Sequence, residues 1–185
     1  NNTVGHRIDV GFDPDLVILS RRNNNAERWT YDTVRGAGKA LTATSSSSEA
    51  DQTGSYNFLK EFVKEGFTLG NDQDVNGSSS NTYAAYSWKA GGSSKTWNID
   101  GVGYDSAAAA GLTNTTGASI GTKQGFGIIK YTGNSTGVNA GSEQTLTHNM
   151  GKAPVFVLAK NLDNNHNWNV LHHKAVTSSH PNFYQ

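Results

Sequence analysis

The stretch Thr82-Tyr83-Ala84-Ala85-Tyr86-Ser87-Trp88-Lys89-Ala90 decides the fold class. Read with a period of two, it puts Ala84, Tyr86 and Trp88 on one face and Tyr83, Ala85 and Ser87 on the other, the alternation of a strand. Six further apolar runs are built alike: 15–20, 28–34, 66–70, 125–131, 154–160 and 168–172. Each is short, β-branched or aromatic, and bounded by Gly, Asn, Ser or Pro, which implies strands joined by turns. Many such strands imply an all-β fold. Short strands with Gly-rich connections lead to the expectation of a sandwich or a barrel, with at most one or two short helices.

One segment dissents. Phe58, Leu59, Phe62 and Val63 recur at helical spacing, while Lys60, Glu61, Lys64 and Glu65 fill the other positions. This predicts a helix of two or three turns ending at Gly66. The alternative is a strand entering Gly66-Phe67-Thr68-Leu69.

Composition agrees with a turn-dense β-protein. Gly, Asn, Ser and Thr make up 77 of the 185 residues, yet 10% of the chain is aromatic, too much for a disordered sequence. Fifteen basic residues balance fifteen acidic ones, so no positive face for nucleic acid is expected. No apolar stretch approaches the roughly 18 to 20 residues of a helical membrane span, and membrane insertion is not expected. With no cysteine, disulfides and thiolate metal sites are excluded. The opening at Asn1, without a signal peptide, implies a processed product or a fragment.

The strongest organisational feature is an internal echo. Gly11-Phe-Asp-Pro14-Asp-Leu16-Val17-Ile18-Leu19 is matched by Gly151-Lys-Ala-Pro154-Val-Phe156-Val157-Leu158-Ala159. The Asn23-Asn24-Asn25 and Trp29 that follow are matched by Asn164-Asn165 and Trp168, and His6 and His148 precede the two copies. Proline, which lacks an N–H, suits the first position of a strand, and the glycine three residues earlier supplies the turn. A spacing of 140 residues is the size of a domain. The expectation is one complete β-sandwich unit over residues 5–145, with 146–185 opening a second, incomplete copy.

No catalytic constellation stands out. Serines lack a Gly-x-Ser-x-Gly elbow, carboxylates are scattered, and no phosphate-binding glycine loop is present. Asp72-x-Asp74-x-Asn76-Gly77 resembles half a calcium loop, but Tyr83 occupies the bidentate position, so a polar hairpin turn is expected instead. Of six histidines, His166, His172, His173 and His180 cluster in sequence, yet adjacent residues of a strand point apart. No metal, cofactor or catalytic residue is therefore assigned. Trp29, Trp88 and Trp168 are expected in the core, whereas Trp97 sits among loop signals. Low-complexity segments at 44–51, 76–81, 91–94 and 107–111 are expected to be solvated loops.

Several motifs occur in a telling order: Gly11-Phe-x-Pro-Asp-Leu-Val17, Tyr31-Asp-x-Val-Arg-Gly-Ala-Gly-Lys39, Gly66-Phe-Thr-Leu-Gly70 with Val75-Asn76, Tyr83-x-x-Tyr-x-Trp-Lys-Ala-Gly91, Gly125-Phe-x-Ile-x-x-Tyr-Thr-Gly-Asn134 and His148-x-Met-Gly-Lys-Ala-Pro154. Over nearly the whole chain the series resembles an uncharacterised repeat domain in virion proteins of tailed bacteriophages, notably marine and cyanobacterial ones. The resemblance implies a tail-fibre or other structural protein on the virion surface, and no catalytic residues carry over. Related virion proteins carry concanavalin-like β-sandwich modules beside this domain, so the expected architecture is an antiparallel β-sandwich of jelly-roll or concanavalin-like type. Expected partners are identical subunits, other virion proteins and a host surface glycan or receptor; capsid or tail decoration with a purely assembly role is the alternative. Loops Asn71–Asn81 and Ala90–Asp100 are the expected contact edge, with Asp72, Asp74, Asn76, Trp97 and Asn98 as candidate ligand-binding residues.

Overall fold

In the computed structural model, residues 5–54, 58–77, 79–92, 94–134 and 144–174 are described. The chain is all-β. Its strands are β1 (His6–Asp9), β2 (Leu16–Arg21), β3 (Arg28–Asp32), β4 (Lys39–Thr42), β5 (Ala50–Asp51), β6 (Leu59–Val63), β7 (Gly66–Leu69), β8 (Tyr83–Trp88), β9 (Trp97–Ile99), β10 (Val102–Tyr104), β11 (Gly117–Gly121), β12 (Phe126–Lys130), β13 (Phe156–Ala159) and β14 (Asn169–His172). A single helical turn, α1 (Gln73–Asn76), falls between β7 and β8. All seven apolar runs contain strands.

Two layers form the sandwich. A five-stranded antiparallel sheet, β5-β4-β3-β2-β8, lies over a three-stranded one, β1-β7-β6. Val17, Leu19, Tyr31 and Ala40 from the first meet Leu59, Phe67 and Leu69 from the second, with Val75 of α1 closing one end. Burial of a large apolar side chain such as Leu59 or Phe67 contributes about 1.5–3 kcal/mol. A second cluster lies against the sheet β10-β9-β11-β12, where Ala110, Leu112, Ala118 and Ile120 are buried and Trp97, Ile99, Ile129 and Met150 pack around them. The alanine-rich stretch 107–111 is thus not wholly a solvated loop, because Ala110 is buried.

The segment read as a helix is a hairpin. β6 and β7 pair antiparallel through the two-residue turn Lys64-Glu65, where Glu65 takes a φ of 61°. The helical spacing has a specific origin. A bulge after Leu59 inserts one residue, so Leu59 faces Leu69 while Phe62, three positions on, faces Phe67 from the same side. A strand with a bulge can therefore carry an i, i+3 apolar pair.

Trp88 is not in the core. Its cross-strand partner is Leu16, and that of Tyr86 is Ile18. Those residues alternate with core residues Val17 and Leu19, so Ala84, Tyr86 and Trp88 share the outer face of the sheet. Trp88 is accordingly 40% exposed and Tyr86 55%. Trp29 pairs with Leu19 on the inner face and meets Phe58 edge-on, ring centres 5.0 Å apart. Trp168 is half-buried, with its indole N–H donating to the Thr42 carbonyl at 3.0 Å.

The echoed segments have the same geometry. In β2–β3, Leu16 pairs with Asp32 and Leu19 with Trp29; in β13–β14, Phe156 pairs with His172 and Ala159 with Asn169, each partner 140 positions later. The bond at the base recurs too: Thr33 N–H to the Asp15 carbonyl and His173 N–H to the Val155 carbonyl, both 2.9 Å. Gly11 and Gly151 both adopt positive φ, 81° and 71°, at the turns into the two hairpins. Trp168 precedes its strand, one position short of the place Trp29 occupies.

Candidate functional site

Asp15 follows the buried Pro14 into β2, and its carboxylate lies between the sandwich and the sheet β10-β9-β11-β12. It is 1% exposed. Its Oδ1 accepts from Thr33 Oγ1 and Ser119 Oγ, both at 2.8 Å, and its Oδ2 from the backbone N–H of Ala90 at 2.8 Å and Gly92 at 3.1 Å. Ser119 in turn accepts from Gly91 N–H at 2.9 Å, and its hydroxyl lies 3.0 Å from Asn98 Oδ1. Asn98 donates to the carbonyls of Lys95 and Ala118. Four donors surround one carboxylate, which satisfies the burial of its charge. A substrate has no route to these atoms, so the constellation holds the sandwich to the second sheet.

A second buried network occupies the segment Tyr31–Lys39. Arg35 donates from Nε to Asp32 Oδ2 at 2.5 Å, from Nη1 to Glu49 at 3.2 Å and the Lys39 carbonyl at 3.0 Å, and from Nη2 to the Thr30 carbonyl at 3.0 Å. Tyr31 hydroxyl donates to Gln52 Oε1 at 2.8 Å, and burial pushes its phenol far above the ordinary range. These groups brace a loop.

The five residues expected to contact ligand divide. Asp72 is the N-cap of α1, its carboxylate accepting from Asp74 N–H at 2.9 Å, so the segment is a capped helical turn rather than a polar hairpin. Burial, together with the neighbouring Asp74 charge, raises the Asp72 carboxyl above its usual value. Asp74 lies 3.4 Å from the Trp29 indole nitrogen. Asn76 is buried, donating to the Gly70 carbonyl at 2.6 Å, and Asn98 is buried as above. Both are internal struts and cannot meet a ligand. Trp97 lies in β9 rather than a loop, packed on the second core with its N–H donating to Thr115 Oγ1 at 3.0 Å. Ala90 and Gly91, at the start of the second expected loop, are also buried.

What the expected edge does reach is a groove at the tip of the β2–β3 hairpin. Ser20, Arg21, Arg22, Asn23, Asn24, Asn25 and Arg28 line an open, polar concavity of about 720 Å³. Residues 80–82 prop it. Asn81 Oδ1 accepts from Arg21 Nη2 at 2.8 Å, Asn23 Nδ2 donates to the Ser80 carbonyl at 3.0 Å, and Arg22 N–H donates to the Thr82 carbonyl at 2.8 Å. Asn81 thus belongs to this site, while the arginines were not expected in it. The doublet Arg21-Arg22 followed by Arg28 is visible in sequence, but neutral net charge hides it.

Among the described residues, no three His, Asp or Glu side chains converge as a metal site would require. His6 Nδ1 lies 3.2 Å from Asn76 Oδ1, and the His172 and His173 rings are 4.9 Å apart; His180 lies outside the described residues. No described helix is long and apolar enough to cross a membrane.

No curated protein and no solved structure matches the chain. One family model, described as a domain of unknown function, DUF7483, matches residues 1–183. Covering nearly every residue, that match identifies the chain as a member of the DUF7483 family.

Proposed function

We propose that the chain is a non-catalytic module of a bacteriophage virion, part of a tail fibre or comparable surface appendage, that attaches the particle to its host cell. The virion setting is supported by the motif series from Gly11 to Pro154. Attachment is supported by one structural observation: the polar groove of Ser20–Arg28 opens at the tip of a hairpin whose strands are fixed in the core of the sandwich. Loops carried by a rigid scaffold are the usual bearers of recognition. The chain's buried carboxylate–hydroxyl cluster at Asp15 and Ser119 is closed to substrate, which favours binding over catalysis.

The test is flow cytometry of the fluorescently labelled chain against a panel of marine bacteria and cyanobacteria. Saturable binding to some strains supports the reading. Absence of binding from every strain, or cleavage of a surface polysaccharide, opposes it.

A purely assembly role is the second reading, favoured by a different observation. Among the described residues β13 and β14 pair only with each other, and Val155, Phe156 and Leu158 are each more than half exposed. In that role these apolar side chains and open strand edges bind neighbouring subunits.

A further inference from the structure

We infer that the groove at the tip of the β2–β3 hairpin is an oxyanion site, and that its ligand is the carboxylate, sulfate or phosphate group of an acidic cell-surface polysaccharide. The choice of a polysaccharide as the source rests on the attachment reading; the anion chemistry does not.

Three of the chain's five arginines, Arg21, Arg22 and Arg28, line this groove, and no acidic residue lines it. The other two arginines are ion-paired: Arg7 with Asp9, and Arg35 with Asp32 and Glu49. Among the described residues, Arg21, Arg22 and Arg28 have no carboxylate partner. Arg21 spends one N–H on Asn81, while its Nε is buried without an acceptor. A buried donor left open is costly, and a bound anion or water is what ordinarily satisfies it. Guanidinium groups present a planar fork that fits carboxylate, sulfate and phosphate oxygens.

The second hairpin serves as an internal control. Moved by 140 residues, Arg21, Arg22 and Arg28 fall on Asn161, Leu162 and Trp168, all uncharged. The β13–β14 hairpin nevertheless keeps the same register. Three positive charges are therefore not needed to build such a hairpin, and their gathering at the tip of the first one calls for a ligand. The asparagine amides beside them suit hydroxyl groups of a sugar. A nucleic acid would call for a longer basic track and stacking aromatics, and no aromatic residue lines this groove.

The experiment titrates the full chain with sodium sulfate and then with a sulfated oligosaccharide, polygalacturonate, neutral dextran and single-stranded DNA, by NMR chemical shift and calorimetry. Sulfate is expected to shift the amides of 21–28. The acidic glycans should bind, with affinity falling as salt rises, and dextran should not. Arg22→Gln and Arg28→Gln, both exposed, should each weaken binding roughly 2- to 10-fold, and Lys123→Gln or Lys130→Gln, each an equal charge change elsewhere, should leave it unchanged. No shift at 21–28, equal binding of dextran, equal loss in the lysine control, or tighter binding of DNA would each overturn the inference. Anion binding at 21–28 without attachment to any cell would instead retain the oxyanion site and reject the attachment reading.

Discussion

Ser119 donates its hydroxyl hydrogen to Asp15 Oδ1 at 2.8 Å, joining two sealed residues 104 positions apart. Through this bond the last residue before β2 is fastened to the middle of β11. Replacing Asp15 with Ala strands the Thr33 hydroxyl and the N–H groups of Ala90 and Gly92, and leaves the Ser119 hydroxyl to donate to Asn98 Oδ1 instead. A loss of about 3–5 kcal/mol is expected in urea unfolding, with about 1–3 kcal/mol for Ser119→Ala. A double-mutant cycle should show strong coupling between them. A loss below about 0.5 kcal/mol for Asp15→Ala would show that this node does not hold the two sheets together.

Gly91 is fixed by the same node. A Cβ there would lie 1.8 Å from Asn98 Oδ1 and 2.9 Å from the Asn98 carbonyl oxygen. Gly91→Ala is expected to cost about 1–3 kcal/mol. Adding Asn98→Ala should relieve only the side-chain part of the clash, so the double variant is less destabilised than the sum of the singles.

The buried Arg35 fork makes a distinct prediction. Arg35→Ala leaves Asp32 charged and nearly sealed, and a loss of about 3–5 kcal/mol is expected. Arg35→Lys should recover little, because one ammonium cannot reach Asp32, Glu49 and two carbonyls together. Thermal unfolding of the two variants checks this.

The seven apolar runs were sufficient to place strands, because each alternates or is closed by turn residues. Two features were not legible. β11, Gly117-Ala-Ser-Ile-Gly121, is wholly buried yet has only two apolar side chains, Ala118 and Ile120, since its neighbours come too close for larger ones. The β6 bulge produced a helical spacing in a strand. Of the expected ligand-binding residues, Asn76 and Asn98 carry the polarity of a surface site but satisfy buried carbonyls, a distinction that depends on distant partners. Arg21, Arg22 and Arg28 were readable as residue types, but their lack of counter-charges emerges only in three dimensions.

Acid should weaken the fold through exposed pairs. Hydrogen bonds from Lys39 and Thr53 hold the Asp51 carboxyl well below its ordinary value, those from Thr122 lower Asp100, and that from Lys95 lowers Asp105. Their folded-state values lie below the unfolded value of about 3.9, so their contribution is present above that pH and is lost as pH falls through the folded values. Asp72, raised by burial, has the opposite sign, favouring the fold as pH falls toward its raised value. Stability measured from pH 7 to pH 2 should decline chiefly below about pH 4. Asp72→Asn, which retains an N-cap acceptor, should be at least as stable as the parent at pH 7 and lose that advantage in acid.

The proposed attachment through a surface glycan is tested by an array of bacterial polysaccharides probed with the full chain. Retention on a subset of acidic glycans, with neutral ones blank and the signal reduced by Arg22→Gln and Arg28→Gln, is the expected result. A blank array at high chain concentration, or retention unaffected by both substitutions, would contradict it.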